Sequence, residues 1–232
     1  MPECLPMRLL RLFLLVCIID IVASPLACQE TTNQAWPEID LYANLNSKLR
    51  ASWYTTHSTD RDSNSTSWEF GPNLDIYLKS MRVRRSETLD ESKRKYLVVR
   101  LGYHVLPSPN GTSEQRGIIE ITPRYYLPKS FLLSDRNRLD LRGTDTFSWR
   151  YRNRITLERD IRVGRVAFTP YGRVEFFYNI TAGYWERVAY TAGTVFPFLR
   201  RFEMEPYFER QVNTNSEPKY VNGFGLTLSV YF

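Results

Sequence analysis

The residues best suited to act as a general base are two histidines, His57 and His104. Hydrolysis of a lipid ester would need a serine hydroxyl within hydrogen-bond reach of one of them. Ser58 follows His57 directly, and Ser108 follows His104 only after Pro107. Neither spacing makes a convincing nucleophile–base pair. We therefore predict that the protein is not an enzyme, and a lipid-modifying hydrolase stays open as an alternative.

The residue spacing gives little support to metal or cofactor chemistry. The sequence has no histidine–histidine or histidine–carboxylate spacing typical of a metal site, and no P-loop or GxGxxG motif. Its three cysteines, Cys4, Cys17 and Cys28, lie near the amino terminus, which excludes a disulfide scaffold in the rest of the chain. We expect no metal, no cofactor and no nucleic acid partner. The net charge of +6 would suit anionic lipid headgroups, although such a balance more often serves solubility.

Charged residues alternate with apolar ones over residues 131–142 and 147–158. The sequence RNR occurs in both segments, and each segment places its charges on one face of an expected strand. An arginine at the centre of a bilayer costs about 2–4 kcal/mol. In a membrane barrel these charges must therefore line the interior. They are Arg136, Arg138, Asp140, Arg142, Arg150, Arg152, Arg154 and Glu158.

Like charges on adjacent strands repel each other, so the arginines need acidic partners from elsewhere in the chain. Such partners follow in residues 168–178 and 202–211. The charged residues that we assign to the interior there are Arg173, Glu175, Glu203, Glu205 and Glu209. We predict an arginine-rich wall and a glutamate-rich wall. Two interpretations stay open: ion pairs that fill a narrow barrel, or an electropositive passage or pocket for a small anionic solute.

Eleven segments from Trp36 to Phe232 alternate polar and apolar residues with a period of two, which predicts β-strands. Several segments have ten or more residues, whereas soluble strands average about five or six. Bacterial outer-membrane barrels have an even number of strands and both termini on the periplasmic side. We therefore expect a further strand, either in 79–95 or before Trp36. The predicted fold is all-β, a transmembrane antiparallel up-and-down β-barrel of about 12 strands.

The last segment, residues 220–232, ends its alternating pattern on an aromatic residue. Such a strand closes a membrane barrel by pairing with the first strand, which we place near Trp36. Its small inward residues Gly223, Gly225 and Ser229 are expected to leave space beside the glutamate-rich wall. We interpret its outward apolar residues as a membrane-insertion signature and expect the barrel assembly machinery as a partner. These residues are Phe224, Leu226, Leu228, Val230 and Phe232.

The first residues combine a short basic region, an apolar run and small residues, which predicts a secretory signal peptide. Two types of cleavage stay open: by the ordinary signal peptidase, or by a lipoprotein-type peptidase that would leave Cys28 lipidated. We assign residues 1–27 to the signal peptide, 28–35 to a linker and 36–232 to the barrel.

Four blocks of the sequence are distinctive: SDRNRLDLR at 134–142, FSWRYRNRITLER at 147–159, EPYFERQ at 205–211 and the terminal VNGFGLTLSVYF. In these blocks the chain resembles a family of predicted bacterial outer-membrane β-barrel proteins that is known only as a domain of unknown function. The resemblance extends from about Trp36 to Phe232. It implies the outer membrane of a Gram-negative bacterium as the location, and it brings no activity and no functional residues.

These observations together predict a porin-like protein in contact with outer-membrane lipid. It would act as a small pore or as a structural component of the membrane, with a lumen lined by arginine and glutamate. A soluble secreted β-barrel that binds an apolar ligand would show the same alternation, with the apolar face turned inward. That protein stays open as a second alternative beside the lipid-modifying hydrolase.

Overall fold

The computed structural model describes residues 31–60, 66–81, 87–108 and 111–232. Most of these residues form strands, and two 3₁₀ helices, Glu91–Arg94 and Pro128–Ser130, lie in connections. No helix among the described residues is long and apolar enough to cross a membrane. The twelve strands are β1 (Thr31–Asn44), β2 (Leu49–Asp60), β3 (Thr66–Ser80), β4 (Lys95–Leu106), β5 (Glu114–Leu127), β6 (Phe131–Gly143), β7 (Phe147–Arg159), β8 (Ile161–Val163), β9 (Val166–Asn179), β10 (Tyr184–Leu199), β11 (Phe202–Asn213) and β12 (Tyr220–Tyr231).

The strands close into a barrel of eleven strands, with β8 as a short addition. β9 pairs with both β7 and β10, and β8 pairs with the first residues of β9. β12 closes the barrel on β1, where Trp36 lies opposite Gly225. The predicted all-β barrel of about 12 strands, closed by its last and first strands near Trp36, is therefore confirmed.

The closing pair differs from the expected antiparallel pattern, because β12 and β1 run parallel. In an up-and-down barrel with an odd number of strands, the first and the last strand must point the same way. The expectation of an even number, with both ends of the barrel chain on one side, was wrong. We name the two ends by these strands: β1 begins at Thr31 on the N-terminal rim, and β12 ends at Tyr231 on the C-terminal rim.

The additional strand does not lie where the sequence suggested. The described part of 79–95 contains a 3₁₀ helix, and the additional strand is Ile161–Val163. β1 begins at Thr31, so part of the predicted linker 28–35 belongs to the barrel. The predicted signal peptide and its cleavage site lie outside the described residues.

The strands turn polar and small residues inward and mainly apolar residues outward. In β12, Gly225 and Thr227 are buried, whereas Phe224 is 62% exposed and Leu226 is 49% exposed. Large exposed apolar side chains occur on all the other strands except β6, so most of the outer surface of the barrel is apolar. The residues that we interpreted as an insertion signature lie on this outward face, at Phe224, Leu226, Leu228, Val230 and Phe232.

A polar cluster interrupts the apolar surface at the middle of β6 and β7. The central asparagines of the two RNR sequences, Asn137 and Asn153, lie opposite each other and alternate with the inward arginines. Asn153 donates through Nδ2 to Asp135 Oδ1 at 2.6 Å and to Asn137 Oδ1 at 3.1 Å. Tyr151 donates its hydroxyl proton to Asn137 Oδ1 at 2.5 Å. These bonds satisfy polar groups that lie within a mainly apolar surface.

Two glycines of β12 lie beneath aromatic rings. A Cβ on Gly223 would lie 2.2 Å from the Trp36 ring, and a Cβ on Gly225 would lie 1.9 Å from the Tyr207 ring. The sequence predicted open space beside these glycines. In the structure the two rings fill that space, and the glycines allow the rings to lie against the wall of the lumen.

We expect Gly225→Ala to destabilise the barrel by about 1–3 kcal/mol, because the added methyl group overlaps the Tyr207 ring. Urea unfolding in detergent, followed by tryptophan fluorescence, measures the loss. The matched control is Gly172→Ala in β9, where no atom lies within 4 Å of the added carbon. The control should change stability by less than about 0.5 kcal/mol. Equal losses in the two variants would contradict the prediction.

Candidate functional site in the barrel lumen

The lumen is the place where the charged residues of the barrel meet. Each residue that we assigned to the interior occupies an inward position, and each one bonds to another group of the lumen. These residues are Arg136, Arg138, Asp140, Arg142, Arg150, Arg152, Arg154, Glu158, Arg173, Glu175, Glu203, Glu205 and Glu209. The arrangement of their partners decides what the lumen can do.

One row of charges alternates in sign around five neighbouring strands, β2 to β6. The strand register places Arg50, Asp75, Arg100, Glu120 and Arg138 side by side. Arg50 Nη2 lies 2.6 Å from Asp75 Oδ2, and Arg100 Nε lies 2.6 Å from Asp75 Oδ1. The side chain of Asp75 is 0% exposed. Opposite charges on adjacent strands stabilise the pairing, and burial strengthens their attraction.

The alternation breaks between β6 and β7, where arginine lies opposite arginine. Arg136 pairs with Arg154, and Arg138 pairs with Arg152. Glu175 on β9 supplies the opposite charge, because its Oε1 lies 2.7 Å from Arg136 Nη2 and 2.8 Å from Arg152 Nε. Its Oε2 lies 2.5 Å from Arg154 Nη2. One buried carboxylate therefore holds three guanidinium groups.

Further ion pairs lie toward the N-terminal rim. Glu114 forms ion pairs with Arg116 and Arg142, each at 2.6 Å. Arg150 Nε lies 2.7 Å from Glu186 Oε2. Arginines of the predicted wall therefore find partners on strands that the sequence did not point to.

Several lumen residues had a usable signal in the sequence that we did not follow. In β3, the alternation that places Leu74 outward also places Glu69 and Asp75 inward. In β1, the same reasoning places Glu38 and Asp40 inward. A systematic assignment of faces to all strands would have found these four carboxylates, although not the groups that they contact.

His104 belongs to the ion-pair network of the lumen. Its Nδ1 lies 2.7 Å from Glu69 Oε1, and its Nε2 lies 3.0 Å from Asn73 Oδ1. The imidazole also stacks on the Tyr54 ring, with centroids 5.1 Å apart. Because both ring nitrogens are occupied by lumen groups, His104 is poorly placed to activate a serine.

His57 lies near the N-terminal rim and stacks on Trp68, with ring centroids 4.3 Å apart. Ser58 is the next residue of β2, so its side chain points to the opposite face. Its hydroxyl bonds to Ser67 at 2.7 Å, and it lines the lumen cavity near this rim. The strand geometry therefore separates the two members of the candidate pair.

The glutamate-rich wall extends beyond β11, onto β1. The strand register aligns Glu38 with Glu205 and Asp40 with Glu203, on either side of β12. Arg173 Nη2 lies 2.7 Å from Glu205 Oε1. Glu38 and Asp40 each accept a hydrogen bond from a hydroxyl group, at 3.1 Å and 2.9 Å, and neither forms an ion pair with another described residue. This wall therefore has more carboxyl groups than basic partners.

The connection between β3 and β4 enters the lumen at the C-terminal rim. We call its residues 87–94 the plug. Asp90 Oδ1 lies 2.6 Å from Arg50 Nη1, and Lys93 Nζ lies 3.0 Å from Glu158. The backbone NH of Leu89 donates to Glu203, and Arg124 Nη1 donates to the carbonyl of Ser92 at 2.9 Å. These polar contacts join the plug to strands on several sides of the barrel.

The charges of the wall stabilise the ionised forms of the plug residues. Burial alone would raise the pKa of Asp90, but Arg50, Arg124 and Lys93 together hold this pKa well below its usual range. Burial alone would lower the pKa of Lys93, but the carboxylates of Glu158 and Asp90 raise it above its usual value. Both plug residues are therefore charged at neutral pH.

A cavity of about 400 Å³ lies between the plug, the arginine-rich wall and the glutamate-rich wall. A second cavity of about 460 Å³ lies nearer the N-terminal rim and shares Glu38, Glu69 and Arg154 with the first. Small-molecule sites have volumes of roughly 300–1,000 Å³. The described part of the lumen thus has room for a small polar solute, while its walls are charged.

No group of histidine, cysteine, aspartate and glutamate residues in the described part of the chain has the arrangement of a metal site. A family model described as a protein of unknown function (DUF2490) matches residues 33–222. No curated protein and no solved structure matches the sequence.

We expect Glu175→Gln to destabilise the barrel by about 3–5 kcal/mol, because it leaves three buried guanidinium groups without their carboxylate. Urea unfolding in detergent measures the loss. Adding Arg152→Gln to Glu175→Gln should restore part of the stability, because it removes one of the unpaired charges.

The control for this prediction is Glu217→Gln, an exposed carboxylate in the connection between β11 and β12. It should change the free energy of unfolding by less than about 0.5 kcal/mol. If Glu175→Gln behaves like this control, the ion-pair network does not stabilise the barrel.

Proposed function

Because the chain belongs to the DUF2490 family of proteins of unknown function, we propose a function from the geometry of this barrel. The protein is an integral barrel of the bacterial outer membrane, with a lumen that ion pairs and the plug fill. It acts as a structural component of the membrane and not as a constantly open pore. Outer-membrane lipid surrounds it, and the barrel assembly machinery inserts it.

The separation of side chains between the two faces is the observation that carries this proposal. Arginine and glutamate residues lie inside, and large apolar residues such as Leu226 are exposed outside. Soluble monomers rarely expose continuous apolar surface of more than a few hundred Å². A lipid environment would remove that surface from water, at about 25 cal/mol per Å².

The two alternative functions have less support from the geometry. A lipid hydrolase needs a serine beside its histidine, and the described positions of His57 and His104 offer none. A soluble barrel for an apolar ligand needs an apolar interior, whereas charged residues line both lumen cavities.

A first test of the membrane proposal uses the protein without substitutions. The folded barrel should require detergent for extraction, and it should migrate differently on a gel before and after boiling, because a closed sheet resists the detergent until heated. Recovery of the protein in the soluble fraction without detergent would contradict the proposal.

A single outward substitution gives a sharper test. Leu226→Arg, at the middle of β12, should cost about 2–4 kcal/mol in a bilayer and lower the fraction of folded, heat-modifiable protein. Leu226→Phe, which keeps the residue apolar, should insert as the wild type does. In a soluble barrel the exposed arginine would be harmless, so equal folding of the two variants would contradict the membrane proposal.

A passage for small anionic solutes is the second candidate function. The arginine-rich wall and the cavity beside the plug favour it, since the plug is held by polar contacts that a change in charge can release. In this case the barrel conducts only when the plug leaves the lumen.

Conductance in planar bilayers tests the plug. We expect little conductance from the wild type and a clear increase from Asp90→Asn combined with Lys93→Gln, because the two substitutions remove the ion pairs with Arg50 and Glu158. Glu91→Gln, an exposed neighbour in the same segment, is the control and should leave conductance unchanged. If the double variant still shows the heat-dependent gel shift but does not conduct, the passage hypothesis is rejected. The structural barrel with a filled lumen then remains as the proposed function.

The same measurement has an expected pH dependence. Ionised Asp90 stabilises the plug in the lumen, and its pKa is lowered there. This stabilisation is therefore complete above the ordinary aspartate pKa of about 3.9, and it is lost as the pH falls through the lowered pKa. The wild type should therefore stay closed between about pH 5 and pH 8. Opening on a shift from pH 8 to pH 6 would contradict a role for Asp90.

A further inference from the structure

The two rims of the barrel differ in charge. In each of the five connections at the C-terminal rim, including the ends of the flanking strands, lysine and arginine outnumber aspartate and glutamate. At the N-terminal rim, the described residues of the connections carry only Asp145, Glu217 and Lys219 as charged groups. The positive charge of the connections is thus concentrated at one end of the barrel.

Six of the exposed cations at the C-terminal rim lie at or next to strand ends, and we call these six the basic rim. They are Lys48, Lys79, Lys129, Arg159, Arg200 and Arg201. They form no ion pair with another residue in the described part of the chain, whereas Arg162 at the same rim is paired with Glu87. The basic rim therefore presents charge that the protein itself does not neutralise.

Each connection repeats the same local pattern, an exposed leucine followed by a cation within three residues. The leucines end the outward apolar faces and are 39–60% exposed. The pairs are Leu45 with Lys48, Leu78 with Lys79, Leu127 with Lys129, Leu157 with Arg159, and Leu199 with Arg200. Lysine and arginine at the edge of an apolar surface extend their charged ends toward the lipid headgroups.

Two contacts direct these cations along the outer surface of the barrel. The guanidinium of Arg159 lies 5.1 Å from the centre of the Phe131 ring, and the ammonium of Lys79 lies 5.6 Å from the centre of the Tyr96 ring. The N-terminal rim has exposed Trp68 and Trp185 in the corresponding zone. Tryptophan is typical of a membrane–water interface without regard to lipid charge, so the two rims suit different headgroup chemistry.

We propose that the basic rim binds the phosphate groups of anionic phospholipids. This inference depends on the proposed membrane location. Each cation near a membrane surface contributes favourable attraction to anionic lipid, and a ring of them enriches that lipid around one end of the barrel. A charge that served only solubility would have no reason to be concentrated at one rim or to follow a leucine in each connection of that rim.

Competition between two lipids tests the proposal. Purified barrel in mixed micelles with equal amounts of phosphatidylglycerol and phosphatidylcholine is analysed by native mass spectrometry for retained lipid. We expect the wild type to retain phosphatidylglycerol several-fold over phosphatidylcholine at about 0.05 M salt, and to lose much of this preference at about 0.5 M salt, because salt screens exposed charges.

The variant Lys129→Gln/Arg200→Gln/Arg201→Gln should lower the preference by up to about fivefold for each removed cation. The matched control, Arg210→Gln/Lys219→Gln near the N-terminal rim, should keep the wild-type preference. Equal retention of the two lipids by the wild type, or an equal effect of the two variants, would overturn the proposal.

The heat-modifiable gel shift separates this test from that of the membrane location. If the wild type shows no gel shift and is soluble without detergent, the membrane proposal itself is rejected. A protein with the shift but without lipid preference rejects only the basic rim.

Discussion

Strand register is the constraint on which the rest of this structure depends. Because side chains alternate between the two faces, a slip of β7 by one residue would carry Arg150, Arg152 and Arg154 to the outer surface. In a bilayer each of them would cost about 2–4 kcal/mol, and Glu175 would lose partners at the same time. One register therefore specifies both the lumen and the outer surface. A slip in register would destabilise the barrel in two ways, by exposing charge outside and by breaking ion pairs inside.

The same register explains why ion pairs line the lumen. Charges alternate in sign from Arg50 on β2 to Arg138 on β6, and the repulsion that follows between β6 and β7 is offset by Glu175. The plug extends this network, since Asp90 adds a second carboxylate to Arg50 and Lys93 neutralises Glu158. The place of the plug at the C-terminal rim thus depends on charge pairing with the lumen wall.

The closed barrel has an odd number of strands, and its two rims carry different features. With β1 and β12 parallel, the long connection that forms the plug and the end of β12 share one rim, which is also the basic rim. The pairing of β12 with its neighbours β1 and β11 depends on Gly223 and Gly225, which allow the Trp36 and Tyr207 rings to lie against β12. In an even-numbered barrel, the start of the first strand and the end of the last strand would lie at the same rim.

The sequence by itself determined the two faces of the strands, because a period of two is a local property: Arg152 inward and Leu226 outward could be predicted without a partner strand. Tertiary structure alone decided which strands are neighbours, and therefore that Glu175 meets three arginines and that Asp75 joins Arg50 to Arg100. It also decided the direction of closure, because eleven strands close the barrel without a twelfth and β8 only pairs with the first residues of β9. The plug has no alternation of polar and apolar residues, and its position in the lumen depends on charged residues of strands that are distant in the sequence.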